Sequence, residues 1–229
     1  MIGVIADIHS NLPALEAVLE DLDKKKVEEV ICLGDIVGYG AYPNECCEII
    51  KKRHINCVMG NHDFAAATGM VWAWFGPDAK KAIEWTNKKL TMENKMFLSV
   101  LPKRLTLDFK GVKVGLVHGS PVGELFEYIE PTTTDSTLKK FMEQMNCQIL
   151  AFGHTHLSFA KLVGTGLVFN PGSVGQPRDN NPMASYVLLE PETMKISLCR
   201  KGYDVETAAM EMKIAHLPDF LWERLYEGL

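Results

Sequence analysis

Asp7-Ile8-His9, Gly34-Asp35, Gly60-Asn61-His62-Asp63, His118-Gly119 and Gly153-His154-Thr155-His156 hold five of the chain's 7 histidines. Imidazole nitrogens, carboxylate oxygens and an amide oxygen without sulfur suit borderline divalent cations, and their number points to a binuclear site. At an extended strand end residues i and i+2 face the same way, so Asp7 and His9 can reach one metal together. Taken alone, Asp-x-His is also a polar turn after a strand. Asp35 can bridge two cations with its two oxygens, or cap the turn that follows it. Asn61 offers a neutral carbonyl oxygen, His62 can donate a proton, and Asp63 can fix the orientation of that imidazole. An Asn-His turn without a metal is the plainer alternative there, as is a satisfied core-edge histidine at His118. His154 and His156 straddle a strand end and can each address one metal. To avoid a shared site, five separate plain explanations would have to hold at corresponding positions. His54 and His216 fall at helix ends and read as surface residues.

The elements that must position these groups are apolar runs ending just before them. Ile2 to Ala6, Val30 to Leu33 and Ile55 to Met59 read as buried strands. Between them Leu12, Leu15, Val18, Leu19 and Leu22, then residues 43–52, read as helices. Such units give a parallel sheet with right-handed crossovers, and ligand sites lie beyond the carboxyl ends of its strands. Residues 64–102 turn helical, clearest at 80–90 and 93–100. Strands follow at 112–117, 148–152, 159–163, 166–169, 184–189 and 195–199, with helices at 134–145 and 205–229. Two stacked sheets with helices outside is the simplest packing, in one domain over residues 1–229.

With a net charge of -5 and 23% charged residues, no extended nucleic-acid surface is expected. The 6 cysteines show no Cys-x-x-Cys pair and read as reduced thiols. A strand begins at once and reaches Asp7, leaving no room for a leader, and no run is long enough to span a bilayer, so a cytoplasmic enzyme is expected.

The ordered motifs D-x-H, GD, GNH[DE], H and GH-x-H resemble the calcineurin-like metallophosphoesterase superfamily over residues 2 to about 200. Asp7-Ile8-His9-Ser10-Asn11, the run from Gly34 to Gly40, and Asn170-Pro171-Gly172-Ser173-Val174-Gly175-Gln176-Pro177-Arg178 look like its small prokaryotic branch. The resemblance implies a four-layer α/β/β/α sandwich of two mixed sheets. It assigns Asp7, His9, Asp35 and His156 to one divalent transition-metal ion and Asp35, Asn61, His118 and His154 to a second, with Mn favoured over Fe, Zn, Co or Ni. A hydroxide between the metals would attack phosphorus while His62, held charged and oriented by Asp63, protonates the leaving oxygen. Protein phosphatases of the superfamily carry arginines where this chain has Tyr39 and Met59. That favours small phosphodiester or nucleotide-like substrates over a serine/threonine-type phosphomonoester or a dinucleoside polyphosphate. A non-catalytic scaffold on the same fold is the alternative from another class.

Arg178 can add a substrate contact or be a solvated loop residue. The run from Met70 to Phe75, with Trp85, can form an aromatic wall in which Trp72, Trp74 or Phe75 stacks on a base or aryl group, or it can be a helical core patch. Met210, Met212 and Trp222 read as packing residues, and the oligomeric state is open.

Overall fold

In the computed structural model, which describes residues 1–70, 74–123 and 125–229, the three early apolar runs are strands β1 (Ile2–Ile5), β2 (Glu29–Cys32) and β3 (Asn56–Cys57), paired in parallel. α1 (Leu12–Lys24) and α2 (Pro43–Lys52) form the crossovers. The Asn11 side chain accepts the Ala14 N–H at the start of α1, and Ala14, Leu15, Val18, Leu19 and Leu22 turn inward at helical spacing. The chain then runs through α3 (Asn61–Thr68), α4 (Pro77–Lys89), α5 (Met92–Ser99), β4 (Arg104–Phe109), β5 (Val112–Val117), α6 (Asp135–Met145), β6 (Ile149–Ala151), β7 (Ser158–Val163), β8 (Gly166–Pro171), β9 (Ala184–Glu190), β10 (Lys195–Lys201), α7 (Val205–Ile214) and α8 (Asp219–Glu223).

Two five-stranded mixed sheets result, in the orders β10-β9-β1-β2-β3 and β4-β5-β6-β8-β7. In the second, β5, β6 and β8 are parallel and the outer strands antiparallel. Val4, Ala6, Ile31, Leu33 and Val58 of the first sheet meet Val114, Leu116, Ile149, Ala151 and Phe169 of the second in one buried layer. Side chains alternate across a strand, so Ile5 and Cys32 face outward onto Leu15, Leu22, Cys46 and Ile50 of α1 and α2. Leu150, Phe152 and Val168 face outward onto Leu138, Phe141 and Met142 of α6. This is the expected α/β/β/α sandwich.

Three details differ from the sequence reading. β4 was not anticipated; it is an edge strand with alternating exposure, so only half its residues carry the apolar signal. α3 begins at Asn61 rather than Phe64, so Asn61, His62 and Asp63 form its first turn. The closing helical region divides at Pro218, which cannot continue α7, leaving α8 and a short 3-10 turn at Arg224–Tyr226. All six cysteines are free, and no helix among the described residues is long and apolar enough to cross a membrane.

Candidate metal centre

Five parallel strands deliver the expected ligands from their carboxyl ends, and Asp7, His9, Asp35, Asn61, His118, His154 and His156 are all buried. The convergence of the paired residues has a cause other than extended backbone. β1 ends at Ile5 and β6 at Ala151, and beyond them Asp7 (φ 52), His9 (φ 50), His154 (φ 71) and His156 (φ 62) lie in the left-handed region, as do Ser10, Asp35 and Tyr39. Each such residue costs about 1 kcal/mol or more, and the surroundings must over-determine it. Here they do: the N–H groups of Asp7, His9 and Ser10 donate to the carbonyls of Gly34, Asp35 and Ile36 at 2.9–3.0 Å, and the His154 N–H donates to the Asp7 carboxylate. Close approach also requires Gly60, where a Cβ would lie 2.0 Å from Asp35 Oδ1.

The side chains form two neighbouring groups. Asp7 Oδ1 lies 3.6 Å from His156 Nε2 and 3.9 Å from His9 Nε2. Across the site, Asn61 Oδ1 lies 2.9 Å from His118 Nε2, and Asp35, His118 and His154 gather their ligand atoms together. Asp35 joins the groups through one oxygen rather than two: Oδ2 lies 3.3 Å from His118 Nε2 and 3.6 Å from His9 Nε2, while Oδ1 accepts the His62 N–H at 2.9 Å.

These residues fit a bound cation. Nδ1 of His9, His118 and His156 faces the carbonyls of Val37, Leu33 and Gln176 at 3.2, 2.8 and 2.5 Å. A carbonyl can only accept, so Nδ1 of each ring carries a proton; the Nε2 lone pairs of neutral His9 and His156 point into the site, and that of His118 is freed once its second proton leaves. His9 Nε2 and His156 Nε2 stand 3.0 Å apart with two lone pairs facing, and His154 Nε2 is buried without a partner. A cation held by His9 and His156, and another taken by His154, would turn these unpaired lone pairs into ligands.

A family model described as the calcineurin-like phosphoesterase superfamily domain matches residues 1–194. The chain belongs to that superfamily. It is 39% identical over 244 residues to uncharacterized protein MJ0912 of Methanocaldococcus jannaschii, covering 100% of this chain and 98% of that protein. It is 25% identical to phosphodiesterase YfcE of Escherichia coli, over 83% of this chain and 88% of that one. A crystal structure of a metallophosphoesterase from Sphaerobacter thermophilus superposes with a TM-score of 0.83 at 34% identity, covering 100% of this chain and 98% of that chain.

Burial governs protonation in this phosphoesterase. It pushes Asp7 up to about 7, opposed by the charge of His118. It holds His9 and His156 well below the usual imidazole range and His154 down to about 3, so these rings are neutral donors near pH 7. In the metal-free protein, burial works against the Asp35–His118 pair, yet Asp35 is held well below the carboxylate range by His118 and His62, and His118 is drawn up to about 10 by Asp35. A metal must displace the protons on Asp7 and His118. Apparent Mn affinity is therefore expected to rise with pH through about 7 and on toward about 10, with net proton release seen by calorimetry in buffers of different ionisation enthalpy. A pH-independent affinity would contradict this.

His62 sits beside the ligands, its ring 4.8 Å from His9, 4.4 Å from Tyr39 and 5.0 Å from Phe75. Its Nδ1 is buried without a partner. Asp63 does not orient it. The Asp63 oxygens accept the Val37 and Gly60 N–H groups at 3.1 and 3.0 Å, tying the loop after Asp35 to the first turn of α3. Nor is the ring held charged: burial lowers its pKa to about 4, with Arg178 and His118 acting in the same direction.

Tyr39 also packs on His9 at 4.6 Å, whereas Met59 is buried with its N–H on the Pro102 carbonyl. Arg178 stands 6.0 Å from the Tyr39 ring, its Nη2 donating to Gln176 Oε1 and its Nε buried without a partner. Of the aromatic run, Trp72 lies outside the described residues. Phe75 is buried edge-on to His62, and Trp74 is 78% exposed and stacked on Phe126. Trp85 packs with the C-terminal helices instead of forming part of a wall. Tyr128, stacked 4.1 Å from His154, was not anticipated; no local motif marks it.

Proposed function

We propose that the protein is a binuclear metal-dependent phosphoesterase preferring phosphodiester or nucleotide-like substrates. The observation carrying this reading is Asp35 Oδ2, within 3.3 and 3.6 Å of Nε2 atoms from two separate ligand groups. Asp7, His9, Asp35 and His156 would hold one ion and Asp35, Asn61, His118 and His154 the other. Two divalent transition ions there, Mn ahead of Fe, Zn, Co or Ni, would supply Lewis-acid charge neutralisation and a water acidic enough to act near neutral pH. The chain's own groups do the rest. His62 delivers a proton to the leaving oxygen. Asp63 positions Asp35 through the Val37 and Gly60 amides. Arg178 meets the substrate's negative charge.

The diester preference follows from Tyr39 and Met59. Without arginines at those positions, the dianionic phosphate of a monoester has less to neutralise it than the single charge of a diester. Exposed Trp74 and Tyr128 offer faces for a base or aryl group. Trp74→Ala is expected to raise KM for nucleoside diesters severalfold with little change in kcat; an unchanged KM would remove it from binding. Free cysteines and small soluble substrates fit a cytoplasmic setting.

The deciding experiment is hydrolysis of bis-p-nitrophenyl phosphate and p-nitrophenyl phosphate with added Mn. Faster turnover of the diester, lost on chelation, is expected. Metal-loaded protein inert across a broad phosphoester panel would favour a scaffold.

A further inference from the structure

Beside Tyr39, whose ring also packs on His9, lies a hollow of about 350 Å³ lined by Tyr39, Arg178, Arg224, Phe220 and the first turn of α4. Its two guanidiniums come from distant parts of the chain. Arg178 follows β8, whereas Arg224 lies beyond the residues matched by the superfamily model, which end at 194. Leu217, Leu221 and Leu225 of the C-terminal segment pack beside Tyr39, Ala41 and Trp85, and so carry Arg224 to the rim of the catalytic region. Among the described residues no Asp or Glu side chain pairs with either arginine. Asp179 is engaged with Arg200, and Asp78, which lines the hollow, forms no ion pair with them. Arg178 Nε is buried without a partner, and Arg224 Nε donates to the Leu229 oxygen. Gly76 precedes α4 without a side-chain cap and Pro77 has no N–H, so the Asp78 and Ala79 amides at the helix start, beside the hollow, are left without a capping group. Burial, followed by the charge of Arg178, draws Arg224 down to about 10. Two like charges lining one open hollow repel each other, and an anion between them would relieve that repulsion.

We propose that this hollow receives a second, non-scissile phosphate of the substrate, held by Arg178, Arg224 and the first turn of α4. The inference rests on the phosphoesterase reading and narrows its substrate class to phosphoesters bearing another phosphate. Tyr39 links the two phosphate positions: its ring packs on His9 and His62 at 4.6 and 4.4 Å and lies 6.0 Å from the Arg178 guanidinium. That placement reconciles the absence of arginine at positions 39 and 59 with two arginines nearby: they serve a phosphate that is not cut.

The test uses a matched pair, thymidine 5'-(p-nitrophenyl phosphate) with and without a 3'-phosphate. The 3'-phosphate is expected to lower KM by about tenfold or more in the wild-type metalloenzyme. Arg224→Gln and Arg178→Gln are expected to reduce that ratio to within about twofold, and Arg224→Lys to retain part of it. Equilibrium dialysis of inorganic phosphate against the metal-loaded protein supplies a readout apart from turnover: two phosphates per chain in wild type, one in the double Gln variant. An equal KM for the two esters overturns the substrate role while leaving the phosphoesterase reading intact. Unchanged stoichiometry in the double variant overturns the site itself. Turnover of neither ester would sink the phosphoesterase reading, and dialysis then decides the hollow independently.

Discussion

Asp35→Asn is expected to abolish hydrolysis of bis-p-nitrophenyl phosphate and to lower the metal content of the purified protein. Among the described residues, Asp35 Oδ2 is the one carboxylate oxygen within 3.3–3.6 Å of Nε2 atoms in both groups. An amide there removes one of the site's two ligand carboxylates, and with it half the negative charge offset against two divalent ions. It also offers either a neutral oxygen or an NH₂ that the histidine lone pairs would accept in place of a metal. A loss of several kcal/mol in charge stabilisation corresponds to a rate decrease of about 10³ or more. The fold should survive, because Asn can still accept the His62 N–H that Asp35 Oδ1 accepts now. Metal analysis, turnover and thermal unfolding of the same preparation test the three statements together. A variant that keeps two metals and more than about a tenth of the rate would remove Asp35 from the bridging position.

The candidate ligands could be picked out in the sequence because each follows an apolar run whose carboxyl end is buried, as in β1, β2, β5 and β6. The local geometry that brings the ligands together could not. No local signal places Asp7, His9, His154 and His156 at positive φ. Those conformations are unfavourable for each residue alone and persist through contacts such as Asp7 N–H to the Gly34 carbonyl, made across strands. Sequence adjacency misled in the case of Asp63: next to His62 in the chain, it turns instead to Val37, 26 residues away. Arg224 and Tyr128 carry no motif at all. They reach the site only because apolar neighbours pack, Leu221 and Leu225 near Tyr39 in the first case and ring stacking on His154 in the second. Motif spacing exposes donor groups clustered within short segments, whereas residues such as Arg224 and Tyr128 are brought together by tertiary packing.

His62→Gln should lower turnover by about 10²–10⁴ for esters that expel an alkoxide, with metal content unchanged and a much smaller effect when the leaving group is p-nitrophenoxide. The ring lies on the first turn of α3, boxed by His9, Tyr39 and Phe75, and Gly38 makes room for it: a Cβ there would meet His62 Nδ1 at 2.6 Å. Burial holds its pKa at about 4, so the free enzyme carries a neutral ring near pH 7 and the arriving phosphate must supply the negative charge that favours protonation. A strongly basic alkoxide needs that proton in the transition state; p-nitrophenoxide leaves without it. Because the protonated fraction of a group with a lowered pKa falls as pH rises, the ratio of alkyl-ester to p-nitrophenyl-ester rates is expected to fall with pH. Taking the ratio cancels the pH dependence of the common nucleophile. Gln preserves size and hydrogen bonding but cannot transfer a proton, so the leaving-group dependence separates proton donation from simple packing. Equal losses for both ester types would assign His62 to positioning, and a parallel loss of metal would make it a ligand.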